Sequence, residues 1–230
     1  MRTSIRIMTV LLMAGIASAS SAQEDKEPKY LLTGNDGQVH ISGFGAPIVG
    51  FSSVDGNFAV YTGGGGAVLF NQTFYAGGYG MGLSTQHTRD ELFLMNSSDE
   101  PVEYYDLYTH FGHGGFWLGY IHESYKAVHF GVSTKLGWGS VSLTEQDYTI
   151  DKWDNVVNDN VFVLNPQVEV ELNLFKWFKF NGGIGYQFVA GLDKTYRDVN
   201  GKRLEFFDEA DFSQPMVNIS FLFGGFGNRK

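Results

Sequence analysis

The sequence has no cysteine, only five prolines and no long apolar run in its 230 residues. Without cysteine the chain forms no disulfide bond and offers no thiol for lipoprotein acylation, so packing and hydrogen bonds alone must hold the fold. The N-terminal apolar run, Ile7 to Ile16, has about ten residues, whereas a membrane-spanning helix needs about 20. We therefore expect no transmembrane helix.

Clusters of basic residues are missing as well. The 16 Lys and Arg residues are outnumbered by 25 Asp and Glu residues, which gives a net charge of −9. An acidic chain repels a phosphate backbone, so we expect no nucleic-acid partner. The glycine run Gly63 to Gly66 lies inside a strand pattern and no helix follows it, so it does not form a phosphate-binding loop. It indicates a curved strand or a crowded interior in which a side chain would not fit.

The N-terminus has the pattern of a secretory signal peptide. Arg2 and Arg6 precede the apolar run, and a stretch of small residues ends at Ala22, before the polar residues 23–26. We expect a cleaved signal peptide at 1–22.

Between residues 127 and 190, apolar and polar residues alternate. In 128–138, 162–174 and 178–188 nearly every even position is apolar. A period of two predicts half-buried strands with two different faces. The odd positions carry polar or small residues. The polar ones that we assign to one inner face are Lys135, Asn165, Gln167, Glu169, Glu171, Lys179, Asn181 and Gln187.

Eight such segments can be counted. They are 39–51, 58–70, 74–86, 107–121, 128–142, 161–173, 178–189 and 215–226. Each is long enough for a tilted strand to cross a bilayer. The connections between them alternate in length. The short ones are 71–73, 122–127 and 174–177, and the long ones are 87–106, 143–160 and 190–214. The tight turn at 52–57 is the exception. Short turns on one side and long loops on the other are typical of membrane barrels.

The sequence thus predicts an all-β fold, an eight-stranded antiparallel up-and-down transmembrane β-barrel. We expect a short periplasmic segment at 23–36 and the barrel domain at 37–230. Aromatic residues flank the three short turns, as expected of a girdle at head-group depth. They are Phe70, Phe74, Tyr75, Tyr120, Tyr125, Phe175, Trp177 and Phe178. The alternative is a row of anchors that closes one end of a soluble barrel.

The signal-peptide pattern, strand count, loop asymmetry and segments such as Gly182-Gly183-Ile184-Gly185-Tyr186 resemble the small eight-stranded outer-membrane barrels. This family includes outer-membrane proteins A and X and the outer membrane protein beta-barrel domain group. The resemblance covers roughly residues 37–226. It implies location in the bacterial outer membrane, contact with its lipid and lipopolysaccharide, and insertion by the outer-membrane insertion machinery. Such barrels usually end on an aromatic residue that this machinery reads, whereas here Phe226 is followed by 227–230.

The polar inner face predicts a filled lumen. An eight-stranded barrel is just wide enough for its side chains to pack the interior. Because an unpaired buried charge is costly, we expect Lys135 to pair with Glu169 or Glu171. The alternative is a narrow ion-conducting pore.

Two of the long connections have the pattern of protruding ribbons. Asn200-Gly201 is a hairpin signal between 195–199 and 202–206, and 97–100 separates two further strand-like segments. Exposed ribbons can add a strand to a partner. We therefore expect a structural or surface-interaction role, with an extracellular protein or surface ligand as partner, unless these ribbons are only solvated loops.

Catalysis is not expected. An outer-membrane lipid acyl hydrolase or transferase that modifies lipid A needs a serine with a histidine and a carboxylate in reach. His40 and Ser42 share a face but lie near the periplasmic end, and His129 and Ser133 are too far apart to bond directly. The stretch 151–160 lacks the glycine and terminal glutamate of a calcium loop. We predict no catalytic residue, metal site or cofactor, with a lipid A-modifying enzyme and a soluble periplasmic ligand-binding barrel as alternatives.

Overall fold

A computed structural model describes most of the predicted barrel domain. The described residues are 38–89, 92–95, 101–104, 107–147, 152–192, 195–197, 203–205 and 207–226. The predicted signal peptide at 1–22 and the segment 23–36 lie outside them. None of the described helices is long or apolar enough to span a bilayer.

The described chain is almost entirely strand. In chain order the elements are β1 (Ile41–Val54), β2 (Asn57–Phe70), β3 (Phe74–Leu83), β4 (Thr88–Arg89), β5 (Leu92–Met95), β6 (Pro101–Tyr104), β7 (Leu107–His122), β8 (Val128–Asp147), β9 (Lys152–Phe175), β10 (Phe178–Tyr186), β11 (Phe188–Ala190), β12 (Thr195–Arg197), β13 (Arg203–Glu205), the single helical turn α1 (Glu209–Phe212) and β14 (Pro215–Gly224).

Eight of these segments form a closed antiparallel ring. Its order is β1, β2, β3, β7, β8, β9, β10 and β14, and β14 closes the ring on β1, where Phe44 pairs with Gly224. β11 continues β10 past Gln187, whose N–H donates to the Gln214 carbonyl at 2.9 Å. Closure leaves the ring without edge strands. The predicted eight-stranded up-and-down barrel is confirmed.

The strands β8 and β9 are longer than predicted. The sequence indicates a long connection at 143–160, whereas β8 runs to Asp147 and β9 starts at Lys152. The strands continue because Val141, Leu143 and Val157 lie fully buried on the inner side, where they pack against other apolar residues. The two strands therefore extend past the outward apolar residues, and β7 stays paired with β8 as far as Leu107 opposite Glu145.

The outer wall carries an apolar band. On β8 the side chain of Val132 is 51 % exposed and that of Trp138 is 60 % exposed, whereas Lys135 between them is completely buried. The ten residue steps from Val128 to Trp138 correspond to about 33 Å of strand. At a tilt of about 40° this is a band roughly 25 Å tall, the height expected of a lipid-facing belt.

The interior is more apolar than predicted. Polar side chains are concentrated around Glu169 and Glu171, nearer the short turns. Toward the opposite mouth a few buried residues are polar, such as Thr109 and Gln187, but most are apolar. These include Leu107, Phe111, Val141, Leu143, Val163, Val189, Phe207 and Phe212. The predicted crowding at the glycine run is confirmed at Gly65, where an added Cβ would lie 3.1 Å from the Trp117 ring.

Two glycines on paired strands should respond oppositely to alanine. A Cβ at Gly119 would overlap the buried ring of Tyr75, whereas a Cβ at Gly80 would meet nothing within 4 Å. We expect Gly119→Ala to lower the free energy of unfolding by about 1–3 kcal/mol through overpacking, and Gly80→Ala to be tolerated. Urea unfolding in detergent micelles measures both. Equal midpoints for the two variants would contradict this packing.

Candidate functional site

The structure places all eight predicted polar residues inside the barrel. None of them is more than 5 % exposed. They come from β8, β9 and β10 and from Gln187, which follows β10. The structure does not join them into one network, because Asn165 donates to the Met216 sulfur and Gln187 donates to the Phe212 carbonyl.

Glu169 is the centre of the largest hydrogen-bonded group. Ser133 Oγ donates to its Oε1 at 2.6 Å and Gln167 Nε2 at 2.5 Å, while Asn181 Nδ2 donates to its Oε2 at 3.2 Å. The Asn218 amide extends the group by donating to Gln167 Oε1 at 2.8 Å. The bonds to the carboxylate tie β8, β9 and β10 together from the inside, and the bond between the two amides adds β14.

Glu171 forms a separate buried ion pair. Lys179 Nζ lies 3.1 Å from its Oε2, and His129 Nε2 lies 3.0 Å from the same oxygen. The other ring nitrogen of His129 is 3.0 Å from the Lys126 carbonyl, in the turn before β8. The pair thus anchors the end of the barrel that carries the short turns.

The predicted pairing of Lys135 with Glu169 or Glu171 is wrong. Lys135 Nζ has no hydrogen-bond partner among the described residues and lies 5.2 Å from the centroid of the Trp117 ring. In the register of β8 and β9, Lys135 is opposite Asn165, whereas Glu169 and Glu171 are opposite Gly131 and His129. The two carboxylates are therefore displaced along the barrel axis from Lys135.

Sequence reasoning did not assign several members of these groups. The alternation puts His129 and Ser133 on the polar face of β8 but does not identify them as members of the network, and Asn218 is not among the predicted polar residues. The alternation held the signal for Asn218, because outward Val217 and Ile219 on β14 leave it facing inward.

The predicted aromatic girdle is on the outer wall with one exception. Phe175 and Trp177 stack at 5.7 Å between ring centroids, and Phe178 stacks on Phe223 at 5.0 Å. The assignment of Tyr75 is wrong, because its side chain is 1 % exposed inside the lumen. Successive residues of a strand point to opposite faces, so the outward position of Phe74 turns Tyr75 inward. The other outward members are Phe70, Tyr120 and Tyr125.

The last strand ends earlier than predicted, at Gly224. Phe223 is its last outward aromatic residue, whereas Phe226 leaves the wall and its N–H donates to the Lys176 carbonyl at 3.0 Å. The Phe226 ring lies 4.7 Å from Lys179 Nζ and 6.1 Å from the Phe44 ring. This residue therefore covers the lumen end rather than extending the outer wall. Residues 227–230 lie outside the described chain.

At the opposite end, the connection before β14 folds into the barrel mouth. Asp208 caps α1 by accepting from the Ala210 N–H, and the Asp211 side chain accepts from the Asp208 N–H. This capping box directs Phe212, which is fully buried, onto the rings of Phe111 at 5.2 Å and Phe207 at 5.5 Å. We call this segment, residues 207–214, the plug. The sequence did not predict it.

A cavity of about 330 Å³ lies beside the plug. Its wall consists of the β1–β2 turn, the segment before β4 and the end of α1. The lining residues are Val54, Asp55, Asn57, Phe58, Gln86, His87, Thr88, Thr109, Phe207, Asp211 and Phe212. Burial lowers the pKa of His87 below its ordinary value, against the weaker opposing effect of Asp55.

Two short hairpins have the pairing that the sequence predicted. β5 pairs with β6, with Leu92 opposite Tyr104, and β12 pairs with β13, with Thr195 opposite Glu205. Their turns, 96–100 and 198–202, lie outside the described residues.

The candidate catalytic residues are not brought together within the described part of the chain. Ser133 donates to Glu169 and His129 contacts Glu171, so each binds a different carboxylate. His40 is exposed at the start of β1.

No protein-family model matches the chain, and no curated protein matches its sequence. Among solved structures, the barrel is similar to Neisserial surface protein A, with a TM-score of 0.46, 6 % identity and coverage of 83 % of this chain and 99 % of that one. It is also similar to a major outer membrane protein from Thermus thermophilus, with a TM-score of 0.45, 12 % identity and coverage of 79 % and 98 %. At these values neither likeness bears on function.

Proposed function

We propose that the chain is a bacterial outer-membrane barrel with a structural and surface-interaction role. It spans the bilayer with its short turns in the periplasm and its hairpins outside. It contacts outer-membrane lipid and lipopolysaccharide and is inserted by the outer-membrane insertion machinery, to which β14 presents the outward residues Val217, Phe221 and Phe223.

The main observation behind this proposal concerns β8, whose apolar residues lie on the outer face along one part of the strand and on the inner face along the rest. Up to Trp138, β8 turns its apolar residues outward, whereas beyond it Val141 and Leu143 are buried inside and Ser142 takes the outer side. A soluble barrel keeps its apolar residues inside along its whole length. Outward apolar residues are stable only where the surroundings are apolar, so the change of face corresponds to the boundary between lipid and water.

Aromatic residues lie at both borders of the outward apolar band. The rings of Trp138 and Phe162 meet at 5.6 Å where the change of face occurs. The stack of Phe175 and Trp177 is at the other border, next to a short turn. Tryptophan and other amphipathic rings favour the head-group depth of a bilayer.

The closed lumen supports a structural role rather than conduction. Phe212 packs on the Phe111 ring at one end of the lumen, and the ion pair of Glu171 with Lys179 lies near the other end. Between them the Glu169 group joins four strands. An interior filled in this way by the described residues stabilises the ring and disfavours a continuous aqueous path.

The part beyond the lipid boundary forms a platform for binding. Its buried residues Leu107, Val141, Leu143 and Val157 belong to the same apolar core that fills the barrel interior. The hairpins β5–β6 and β12–β13 belong to the long connections on this side of the barrel, and a partner in the form of an extracellular protein or surface ligand would meet them first.

The proposal is tested by replacing both hairpins, 92–104 and 195–205, with tight turns. We expect the shortened protein to sediment with outer membranes and to migrate differently in boiled and unboiled gel samples, because the ring does not need these hairpins. Adhesion of expressing cells to protein-coated surfaces should fall. Full-length protein found in a soluble periplasmic extract would refute the membrane location. Unchanged adhesion by the shortened protein would refute the role of the hairpins.

A further inference from the structure

We propose that the barrel holds one anionic phospholipid at its short-turn end, with the phosphate beside Lys176 and one acyl chain in a groove along β1. The proposal rests on the proposed membrane location. It names a site and a lipid class for the contact with outer-membrane lipid.

A cavity of about 470 Å³ lies beside the turn between β9 and β10. Its lining joins the polar side chains of Ser42, Gln72 and Lys176 to the exposed apolar side chains of Ile41 and Trp177. A phospholipid changes from polar to apolar in the same way where its head group meets its chains. The cavity therefore has the mixed lining that a head group needs.

The cation of this cavity is available to a phosphate. The Lys176 side chain is exposed, and its ammonium has no ion-pair partner among the described residues. Lys126, in the turn between β7 and β8, is different because it lies 2.7 Å from a Glu123 oxygen. A charge-assisted hydrogen bond from an ammonium to a phosphate is about twice as strong as a neutral one.

The aromatic residues beside Lys176 place it at the depth of lipid phosphates. Phe175 and Trp177 precede and follow it in the chain, and their exposed rings stack at 5.7 Å between centroids. Such rings favour the head-group depth of a bilayer, and a lysine side chain extends its ammonium toward the polar side of that interface. This argument is independent of the charge of the cavity.

A groove on the outer wall of β1 continues from the cavity. Its floor includes Gly43 and Gly45, two exposed outward positions without a side chain. Val68 on β2 is opposite Gly43 and Phe223 on β14 is opposite Gly45, and these two exposed side chains form the sides of the groove. The Phe223 ring stacks on the Trp177 ring at 6.2 Å between centroids. Cavity and groove are therefore continuous.

The length of the groove suits an acyl chain from one leaflet. Its outward positions from Gly43 to Pro47 are four residue steps apart, which corresponds to about 13 Å of strand. One leaflet contributes half of a hydrocarbon core that is about 30 Å thick. A chain in the groove gains dispersion contacts with the backbone floor and with both sides.

Quenching of tryptophan fluorescence by brominated lipid tests the proposal. The full chain is refolded into phosphatidylcholine vesicles with increasing fractions of phosphatidylglycerol that carries brominated chains. Brominated phosphatidylcholine is the matched zwitterionic control. Trp177 lines the cavity, and Trp177→Phe identifies its share of the signal. We expect phosphatidylglycerol to bind about fivefold more strongly than phosphatidylcholine.

Two results of this titration would overturn the proposal. One is equal quenching of Trp177 by both lipids at every fraction. The other is displacement of phosphatidylglycerol by glycerol phosphate at equal concentration, because the site would then take a free phosphate and not a lipid.

Two lysine variants locate the head group. Lys176→Gln removes the cation of the cavity, and Lys126→Gln removes a paired cation from a neighbouring short turn. We expect the first variant to lose the fivefold preference for phosphatidylglycerol and the second to keep it. The same preference in both variants would exclude Lys176 as the phosphate contact.

Two glycine variants locate the acyl chain. A Cβ at Gly45 would come no closer than 3.8 Å to a neighbouring atom, and one at Gly80 would meet nothing within 4 Å, so both positions accept a side chain. Gly80 is exposed on β3, away from the groove. Gly45→Leu should weaken phosphatidylglycerol binding at least about threefold, and Gly80→Leu should not change it. Equal binding by the two variants would contradict the groove.

This proposal and the membrane proposal fail in different ways. If the protein inserts into vesicles but shows no preference for phosphatidylglycerol, only the lipid site fails. If the protein is found in the soluble periplasmic extract and does not insert into vesicles, the membrane proposal fails and the lipid site fails with it.

Discussion

Replacing Lys179 with methionine should lower the free energy of unfolding by about 3–5 kcal/mol, because it leaves a buried carboxylate without its cation. Lys179 Nζ lies 3.1 Å from Glu171 Oε2, and both side chains are almost fully buried. After the substitution only His129 contacts that oxygen. Urea unfolding of the barrel refolded into lipid vesicles measures the loss.

The double variant Lys179→Met with Glu171→Gln identifies the cause. Removing both charges avoids the uncompensated carboxylate, so the double variant should be more stable than Lys179→Met alone. Lys126→Met is the matched control. Lys126 Nζ lies 2.7 Å from a Glu123 carboxylate oxygen, and this hydrogen bond lowers the pKa of the Glu123 carboxyl. Because the pair is exposed to water, its loss should leave the unfolding midpoint unchanged. Strictly additive losses in the double variant would show that Glu171 and Lys179 are not coupled.

Val168→Arg should cost about 2–4 kcal/mol, the penalty for an arginine that faces lipid near the middle of the bilayer. The Val168 side chain is 56 % exposed on the apolar band of β9. Asn160→Arg provides the control, because Asn160 is exposed on the same face of the same strand but beyond the lipid boundary. Unfolding in vesicles should separate the two variants clearly. Equal tolerance of arginine at both positions would contradict the position of the apolar band.

Which side of the barrel wall a residue faces was predictable, because the polarity of each residue reflects its own surroundings and alternates along the strand. Val168 and Lys135 each follow the pattern of their own strand, and both lie on the predicted side. That Lys135 lies away from Glu169 and Glu171 was not predictable, since it depends on how β8 and β9 are aligned. A period of two gives the face of a residue but contains no information on register.

The continuation of β8 and β9 into residues 143–160 was not predictable for a different physical reason. Beyond Trp138 the apolar residues Val141 and Leu143 change from even to odd positions, and an interrupted alternation resembles a loop. Under the proposed membrane location, the interruption corresponds to the boundary between lipid and water. The plug formed by Phe212 has a sequence signal only in the capping residues Asp208 and Asp211, which are too short a pattern to predict where the helical turn packs.

Surface accessibility of two epitope tags tests the membrane topology most directly. One tag is inserted after Asn200, in the connection between β12 and β13, and the other at Gln72, in the turn between β2 and β3. In intact cells an antibody should bind the tag after Asn200, and it should bind the tag at Gln72 only after the outer membrane is breached. Binding at Gln72 alone in intact cells would invert the topology. Detection of both tags only in a soluble periplasmic extract would show that the barrel is not in the membrane.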